Sequence, residues 1–100
     1  MDAKTKMEWA EISERLQGLR PGWHVSPQGH LERRYRFPDF AQALRFANEV
    51  AALAEAEGHH PDLHISWGEC AVETWSHDAG GLTGRDFSLA ARIDAMRGAT

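Results

Sequence analysis

The residues best suited to chemistry lie in one stretch of the chain, between Glu55 and Asp86. The groups in this stretch that can exchange protons or hydrogen bonds belong to Glu55, His59, His60, Ser76, His77, Asp78 and Asp86. Imidazole has an ordinary pKa near about 6.5, so one histidine can hold a proton at neutral pH while another lacks one. The stretch therefore indicates general acid–base catalysis, such as a dehydration, if the fold brings these side chains together.

A metal site is the first alternative for the histidines. His60 and His64 are four residues apart, which would suit two ligands on one helix face, but Pro61 between them disfavours a helix. In an extended segment their Cα atoms would lie roughly 13 Å apart at about 3.3 Å per residue, too far to share one ion directly. We therefore expect no metal ion at this site.

Nucleophilic catalysis is a second alternative, and it has weak support. The chain has no Gly-x-Ser-x-Gly turn, and Ser76 would point away from His77 if a strand continued through both. Cys70 lies in an apolar, strand-like context, which predicts a buried and inert thiol. From residue chemistry alone, acid–base catalysis and a purely structural role for His59-His60-Pro61 at the end of a helix are equally supported.

Composition indicates one small domain over residues 1–100. With 42% apolar residues among 100, the chain can bury a single hydrophobic core. A formal net charge of −4 disfavours nucleic-acid binding, and we expect the basic cluster Arg33, Arg34 and Arg36 to belong to a solvated strand. A single cysteine, no leading apolar run and no membrane-length apolar segment predict a cytoplasmic protein with no membrane partner.

The first helix and the first hairpin are predicted from capping and alternation. Thr5 and Glu8 have the spacing of a capping box, and Pro21-Gly22 should end the helix that follows. Its apolar face would consist of Trp9, Ile12, Leu16 and Leu19. Apolar and polar residues then alternate on both sides of Pro27-Gln28-Gly29, which predicts a β-hairpin.

A second helix is predicted directly ahead of the histidine pair. Asp39 can cap it through Gln42, and Gly58 can end it in a left-handed conformation. Its apolar stripe is Phe40, Ala43, Leu44, Ala47, Val50, Ala51 and Ala54. Phe46 and Leu53 lie off that stripe, so they either widen the core-facing surface or contact another subunit, and the sequence favours neither.

A second hairpin and a third helix complete the prediction. Leu63, Ile65 and Trp67 alternate with polar residues, and Cys70, Val72 and Thr74 should share one face of the next strand. Thr83 and Asp86 form a possible capping box before a helix with apolar positions Phe87, Leu89, Ala90, Ile93 and Met96. The fold class is α+β: a four-stranded antiparallel sheet with three helices on one face, in the order α-β-β-α-β-β-α.

The same stretch resembles the signature of the pterin-4a-carbinolamine dehydratases, also called 4a-hydroxytetrahydrobiopterin dehydratases. That signature has an acidic residue, His-His-Pro, an aromatic residue, another histidine and an aspartate at fixed spacing. The matching residues are Glu55, His59-His60-Pro61, Trp67, His77 and Asp86. Further similarity at Gly22-Trp23, Phe37-Pro-Asp-Phe40 and Leu89-Ala90 extends the resemblance over nearly the whole domain.

The resemblance implies the same fold and a specific reaction. A hydro-lyase of this kind removes water from 4a-hydroxytetrahydropterin to give quinonoid dihydropterin, in tetrahydrobiopterin recycling after an aromatic amino acid hydroxylase has turned over. No metal or organic cofactor is implied. By position, His59, His60 and His77 would be catalytic, and Glu55, Ser76 and Asp86 would bind or orient the substrate. Trp67 would serve as wall or packing.

The resemblance also implies a homodimer or homotetramer with paired sheet edges. Some family members act as the dimerisation partner of a transcription factor or as an assembly factor for a photosynthetic enzyme, so a non-catalytic binding protein is the alternative function. Retention of all three signature histidines favours the enzyme. Trp75 is bulkier than the family position suggests, and it would narrow the pocket or fill an interface.

Overall fold

The computed structural model describes residues 5–97 as three α-helices, four β-strands and a short 3₁₀ helix. The elements are α1 (Trp9–Gln17), β1 (His24–Val25), β2 (Leu31–Arg36), α2 (Phe40–Glu57), β3 (Asp62–Ser66), β4 (Glu69–Thr74) and α3 (Gly84–Arg97), with the 3₁₀ helix (His77–Ala79) between β4 and α3. The predicted order α-β-β-α-β-β-α is confirmed. Within residues 5–97, no helix has the length and apolar character needed to cross a membrane.

The strands form one antiparallel sheet in the order β1-β2-β4-β3. Each predicted hairpin is present, and the two are joined through β2 and β4, where Leu31 lies opposite Thr74 and Arg36 opposite Glu69. The hairpin partner β3 continues the sheet beyond β4, with Asp62 opposite Glu73. This arrangement leaves β1 and β3 at the edges.

One face of the sheet is buried under the helices, because side chains alternate along each strand. Cys70, Val72 and Thr74 of β4 point to this face and are fully buried. They join a core that includes Leu31, Tyr35, Phe46, Val50, Phe87, Leu89 and Ile93. On β2, Arg34 and Arg36 alternate to the other face and are exposed, as predicted for a solvated strand face, and Arg34 donates to Glu69 at 2.8 Å. Arg33 differs, because it lies on the buried face, where it donates to Asp94 at 2.9 Å and its side chain is only 16% exposed.

The predicted start and end of α2 are confirmed. Asp39 Oδ1 accepts a hydrogen bond from the Gln42 amide at 2.9 Å, which satisfies one of the free amides of the first turn. Gly58 follows the helix with φ of 68°, a left-handed conformation that costs glycine little, and its amide donates to the Ala54 carbonyl. The chain therefore turns sharply just before His59.

The buried face of α2 is rotated from the predicted one. Phe46 is buried and Leu53 packs against the core, so both widen the core-facing surface. Phe40 and Leu44, predicted to be buried, are 47% and 40% exposed, and Ala51 is exposed as well. The rotation has a physical reason, because the large ring of Phe46 packs against Phe37 and Tyr35 and directs that side of the helix to the sheet.

The predicted capping box of α1 is wrong. The helix begins at Trp9 with Glu8 at the N-cap, without a side-chain cap, and Gly18 rather than Pro21-Gly22 follows its last turn. The Met7 amide bonds to the Leu82 carbonyl at 2.8 Å, which ties the preceding residues to a loop instead of a helical turn. Trp9, at the first helical position, is 63% exposed rather than buried.

Two other apolar residues assigned to packed positions are exposed. Trp67 lies in the tight turn between β3 and β4, where Gly68 has φ of 75°, and it is 75% exposed, so it does not pack within the described part of this chain. Met96, in the last turn of α3, is 37% exposed. The remaining predicted positions of α3, from Phe87 to Ile93, are buried as expected.

Candidate active site

Asp86 is a fully buried carboxylate that accepts four hydrogen bonds. Oδ1 accepts from His59 Nε2 and from Thr74 Oγ1, each at 2.6 Å. Oδ2 accepts from Ser76 Oγ at 2.9 Å and from the Thr83 amide at 3.0 Å. A buried carboxylate is tolerated only when its lone pairs are satisfied in this way. We call Asp86, His59, Thr74, Ser76 and Thr83 the Asp86 cluster.

The start of α3 delivers Asp86 to this cluster. The Thr83 amide donates to Asp86, while Thr83 Oγ1 accepts from the Arg85 amide at 3.2 Å. The predicted pairing of Thr83 with Asp86 at the helix start is thus confirmed, with the threonine hydroxyl bonded to the second helical amide. One carboxylate therefore both caps α3 and holds a histidine.

A tight turn after β4 brings Ser76 to the same carboxylate. The Ser76 amide donates to the Gly81 carbonyl at 2.9 Å, and Gly80, with φ of 73°, lets the chain reverse. The Ser76 side chain is buried and bonds to Thr83 Oγ1 at 2.8 Å as well as to Asp86. His77 follows directly, so its backbone is anchored next to the Asp86 cluster.

His59 reaches Asp86 because Gly58 has ended α2. The His59 amide donates to the Ala54 carbonyl at 3.2 Å, and its side chain is only 11% exposed. An ionised carboxylate only accepts hydrogen bonds, so the contact assigns the proton to Nε2. Nδ1 is then the atom of the neutral ring that can accept a proton from a ligand.

His60 and Glu55 form a second pair, at the surface. His60 Nε2 lies 2.6 Å from Glu55 Oε2, and the two side chains are 62% and 76% exposed. Glu55 is in the last turn of α2, whereas His60 lies beyond its end. Exposed ion pairs contribute little to stability, so this contact leaves His60 able to reorient towards a ligand.

His77 is exposed and opens the 3₁₀ helix. Its imidazole lies against Trp75 with ring centroids 4.2 Å apart. The neighbouring Asp78 bonds to Arg85 at 2.7 Å rather than to a histidine, and this hydrogen bond holds the pKa of Asp78 below its ordinary value. Asp78 is therefore engaged by Arg85 in the structure.

The structure thus groups the predicted residues in three ways. Hydrogen bonds join His59, Ser76 and Asp86, a surface contact joins Glu55 and His60, and His77 connects to the first set through the chain. Thr74 was not among the predicted site residues, although its hydroxyl bonds directly to Asp86. The sequence signal was a polar residue at a buried position of the alternating β4 pattern.

Metal-binding and thiol chemistry can also be judged from the side chains. Among residues 5–97, no three His, Cys, Asp or Glu side chains are placed to hold a metal ion. Cys70 is buried, and burial raises the pKa of its thiol to about 11, in agreement with the predicted inert cysteine.

A groove of about 240 Å³ between α2 and α3 is lined by residues outside the candidate site: Phe37, Gln42, Arg45, Phe46, Glu49 and Met96.

Comparison with known sequences points to one family. The family model described as pterin 4 alpha carbinolamine dehydratase matches residues 5–96. A protein of Rickettsia bellii, provisionally named a pterin-4-alpha-carbinolamine dehydratase, is 54% identical over 91 residues, covering 91% of this chain and 80% of its own length. A protein of Chlorobium limicola with the same provisional name is 51% identical over 90 residues, covering 87% and 80%.

Solved structures share the fold. A transcriptional coactivator/pterin dehydratase from Brucella melitensis superposes with a TM-score of 0.86 at 28% identity, covering 94% of this chain and all of that one. A pterin dehydratase-like protein identified as a RuBisCO assembly factor in the alpha-carboxysome gives 0.65 at 25% identity, covering 79% and 93%. The chain belongs to the pterin-4-alpha-carbinolamine dehydratase family, a family of hydro-lyases.

Proposed function

We propose that this protein dehydrates 4a-hydroxytetrahydropterin to quinonoid dihydropterin and water by histidine acid–base catalysis. The bond from the ring carbon to the hydroxyl oxygen breaks, and the departing hydroxide takes up a proton. The adjacent ring nitrogen loses a proton as a carbon–nitrogen double bond forms. One proton is taken up and one is released, so the reaction needs a matched acid and base and no oxidant or reductant.

The observation that carries this proposal is the bond between His59 and Asp86. Asp86 is buried and fully engaged, so it holds the ring orientation and tautomer of His59 and directs Nδ1 away from the cluster. A carboxylate that orients a histidine in this way also stabilises the imidazolium that forms when the ring takes a proton. His59 therefore has the arrangement of a general acid or base.

His77 is the proposed second proton-transfer group. Ser76 and His59 bond to the same carboxylate, so the backbone of His77 and the ring of His59 share one rigid support. In this proposal His59 and His77 share the two proton transfers. The third histidine, His60, orients the substrate or stabilises developing charge, and Glu55 orients His60.

A turnover assay with enzymatically generated 4a-hydroxytetrahydropterin tests the proposal. His77→Ala should lower the rate by about 100-fold to 10,000-fold, the usual value of a general acid or base. His24→Ala is the matched control, because His24 is an exposed histidine of β1, paired with Glu32 and outside the proposed site. A wild-type rate no faster than buffer would reject the proposal.

A non-catalytic binding protein is the second candidate. Of the two similar structures, one is described as a transcriptional coactivator/pterin dehydratase and the other as a RuBisCO assembly factor. This chain also exposes large apolar side chains, including Trp9 and Trp67. A purified partner that binds stoichiometrically, and equally well to a His59→Ala, His77→Ala double variant, would support this function. Dehydration without such a partner would support the enzyme alone.

We further propose a cytoplasmic homodimer or homotetramer supplied with substrate by an aromatic amino acid hydroxylase. The support for the oligomer is the exposed edge of the sheet at β3, where Ile65 is 36% exposed and Trp67 follows in the turn. A free strand edge with apolar residues is a surface that proteins normally cover or pair. The single cysteine, a free thiol, supports the reducing compartment.

A further inference from the structure

Trp75 contacts two imidazole rings at the end of β4. Its indole lies against His77, with ring centroids 4.2 Å apart and planes inclined at 37°. The indole also stacks on His30, with centroids 3.7 Å apart and planes only 3° from parallel. We call His30, Trp75 and His77 the Trp75 ring cluster, which connects the start of β2 to the exposed His77.

The register of the sheet places His30 beside Trp75. Leu31 lies opposite Thr74, so the residues beyond them, His30 and Trp75, meet across the ends of β2 and β4. The His30 amide donates to Ser26 Oγ at 3.2 Å, and the His30 carbonyl accepts from the Ser26 amide at 2.8 Å. The backbone that carries His30 is therefore fixed on both sides of its side chain.

Glu73 fixes the His30 ring itself. Glu73 Oε2 accepts a hydrogen bond from His30 Nδ1, and both side chains are only 18% exposed. This contact is the main reason that the pKa of Glu73 lies below its ordinary value. His64 approaches the other oxygen of Glu73 at 3.5 Å. His30 is thus held by a carboxylate, and it in turn supports Trp75.

His77 needs such support more than His59 does. His59 is held by a buried carboxylate, whereas His77 is exposed and lies on a helix of three residues. An exposed side chain samples several rotamers, and a proton-transfer group that is misplaced by about 1 Å can lose roughly 100-fold in rate. Packing against the rigid indole restricts the orientations open to the imidazole.

We propose that Trp75, backed by His30 and Glu73, is a positioning residue that holds the His77 imidazole in its reactive orientation. The inference rests on the proposed function for the role of His77, but not for the ring contact itself. Trp75 acts through His77 and does not contact the reacting atoms.

Kinetics of paired variants test the proposal. Trp75→Leu should lower kcat by about 10-fold to 100-fold with a smaller change in KM, because positioning affects the reactive geometry. Trp75→Phe, which keeps an aromatic face, should recover most of the rate. In a His77→Ala background, Trp75→Leu should cause no further loss, since the residue it positions is gone. An equal loss in both backgrounds would overturn the proposal.

An NMR measurement tests the contact between Trp75 and His77 without a turnover assay. The ring proton and carbon resonances of His77 are shifted by the nearby indole, and Trp75→Leu should move them and average the coupling constants that report its side-chain rotamer. Trp9→Leu, which removes an exposed tryptophan from α1, is the matched control and should leave them unchanged. Unchanged His77 signals in folded Trp75→Leu would overturn the proposal, whereas a wild-type protein without turnover would reject only the proposed function.

Discussion

Burial distinguishes two histidine–carboxylate contacts of equal length. His59 to Asp86 and His60 to Glu55 are each 2.6 Å, but Asp86 is fully buried whereas Glu55 is 76% exposed. A buried carboxylate loses its water and depends on each protein donor, while an exposed one regains water when its partner leaves. Removing the first carboxylate should therefore affect both stability and catalysis, and removing the second should affect stability very little.

Asp86→Asn tests this difference at the first pair. The amide would turn an NH₂ group towards a donor of the cluster, so we expect about 1–3 kcal/mol of destabilisation. An NH₂ group facing His59 would also favour the wrong tautomer, and we expect a rate loss of about 100-fold or more. Urea denaturation and turnover measure the two effects. Glu55→Gln is the control, with a stability change below about 0.5 kcal/mol, and equal destabilisation by both variants would contradict the distinction.

Glu73 gives a pH dependence with a defined sign. Its pKa lies below the ordinary value of 4.5, first because His30 donates a hydrogen bond to it and then because His64 lies close. A carboxyl group whose pKa is lower in the folded state stabilises the fold above its unfolded pKa, and this stabilisation is lost as the pH falls through the folded pKa. The stability advantage of the wild type over Glu73→Gln should therefore be complete above pH 4.5, the ordinary pKa of the group. It should disappear as the pH falls through the lower pKa of Glu73 in the folded protein.

Urea denaturation of both proteins between about pH 3 and pH 6 would measure this difference. Glu14→Gln, which removes an exposed carboxylate from α1, corrects for the general effect of net charge. A difference that grows as the pH falls would have the opposite sign and would exclude a stabilising contact between Glu73 and the two histidines.

At the scale of an element, the end of α2 sets the position of two histidines. Gly58 has φ of 68°, and a Cβ at this position would meet no atom within 4 Å. Gly58→Ala should therefore cost about 1–2 kcal/mol from backbone strain alone. The chain would relax by shifting the next residue, His59, so we expect the rate to fall as well.

Gly29→Ala is a matched control for Gly58→Ala. Gly29 lies in the first hairpin turn with φ of 85°, and a Cβ there would also meet no atom within 4 Å. The two variants should lose similar stability in urea denaturation, but only Gly58→Ala should lose activity. A rate loss of the same size in both would show that strain acts through global stability rather than through His59.

The elements themselves were predictable because their signals are local. Asp39 with Gln42 and the left-handed Gly58 define α2 within single turns of chain. The orientation of α2 was not predictable in this way, because periodicity cannot tell which of two adjacent apolar stripes is buried. Contacts of Phe46 with Phe37 and Tyr35, residues nine and eleven positions away, decide that question.

At the scale of the molecule, candidate residues for the site could be chosen from the sequence, but the contacts among them could not. The spacing of Glu55, His59 and Asp86 identifies the candidates, because the motif is itself a sequence pattern. Which carboxylate meets which histidine depends on three segments converging on Asp86, and the Trp75 ring cluster depends on the register of β2 against β4. Such pairings follow from packing between distant segments, which local spacing does not encode.

The final prediction concerns assembly. Ile65 on β3 is 36% exposed, and Leu44 on α2, an element in contact with β3, is 40% exposed. Apolar side chains beside a free strand edge favour pairing with a second copy, so light scattering at micromolar concentration should give at least twice the chain mass of 11.2 kDa.

Ile65→Lys places a charge at the β3 edge and should shift the protein from the oligomer towards the monomer. Asn48→Lys adds the same charge at an exposed position of α2 and should leave the mass unchanged. A wild-type mass of one chain would exclude the oligomer.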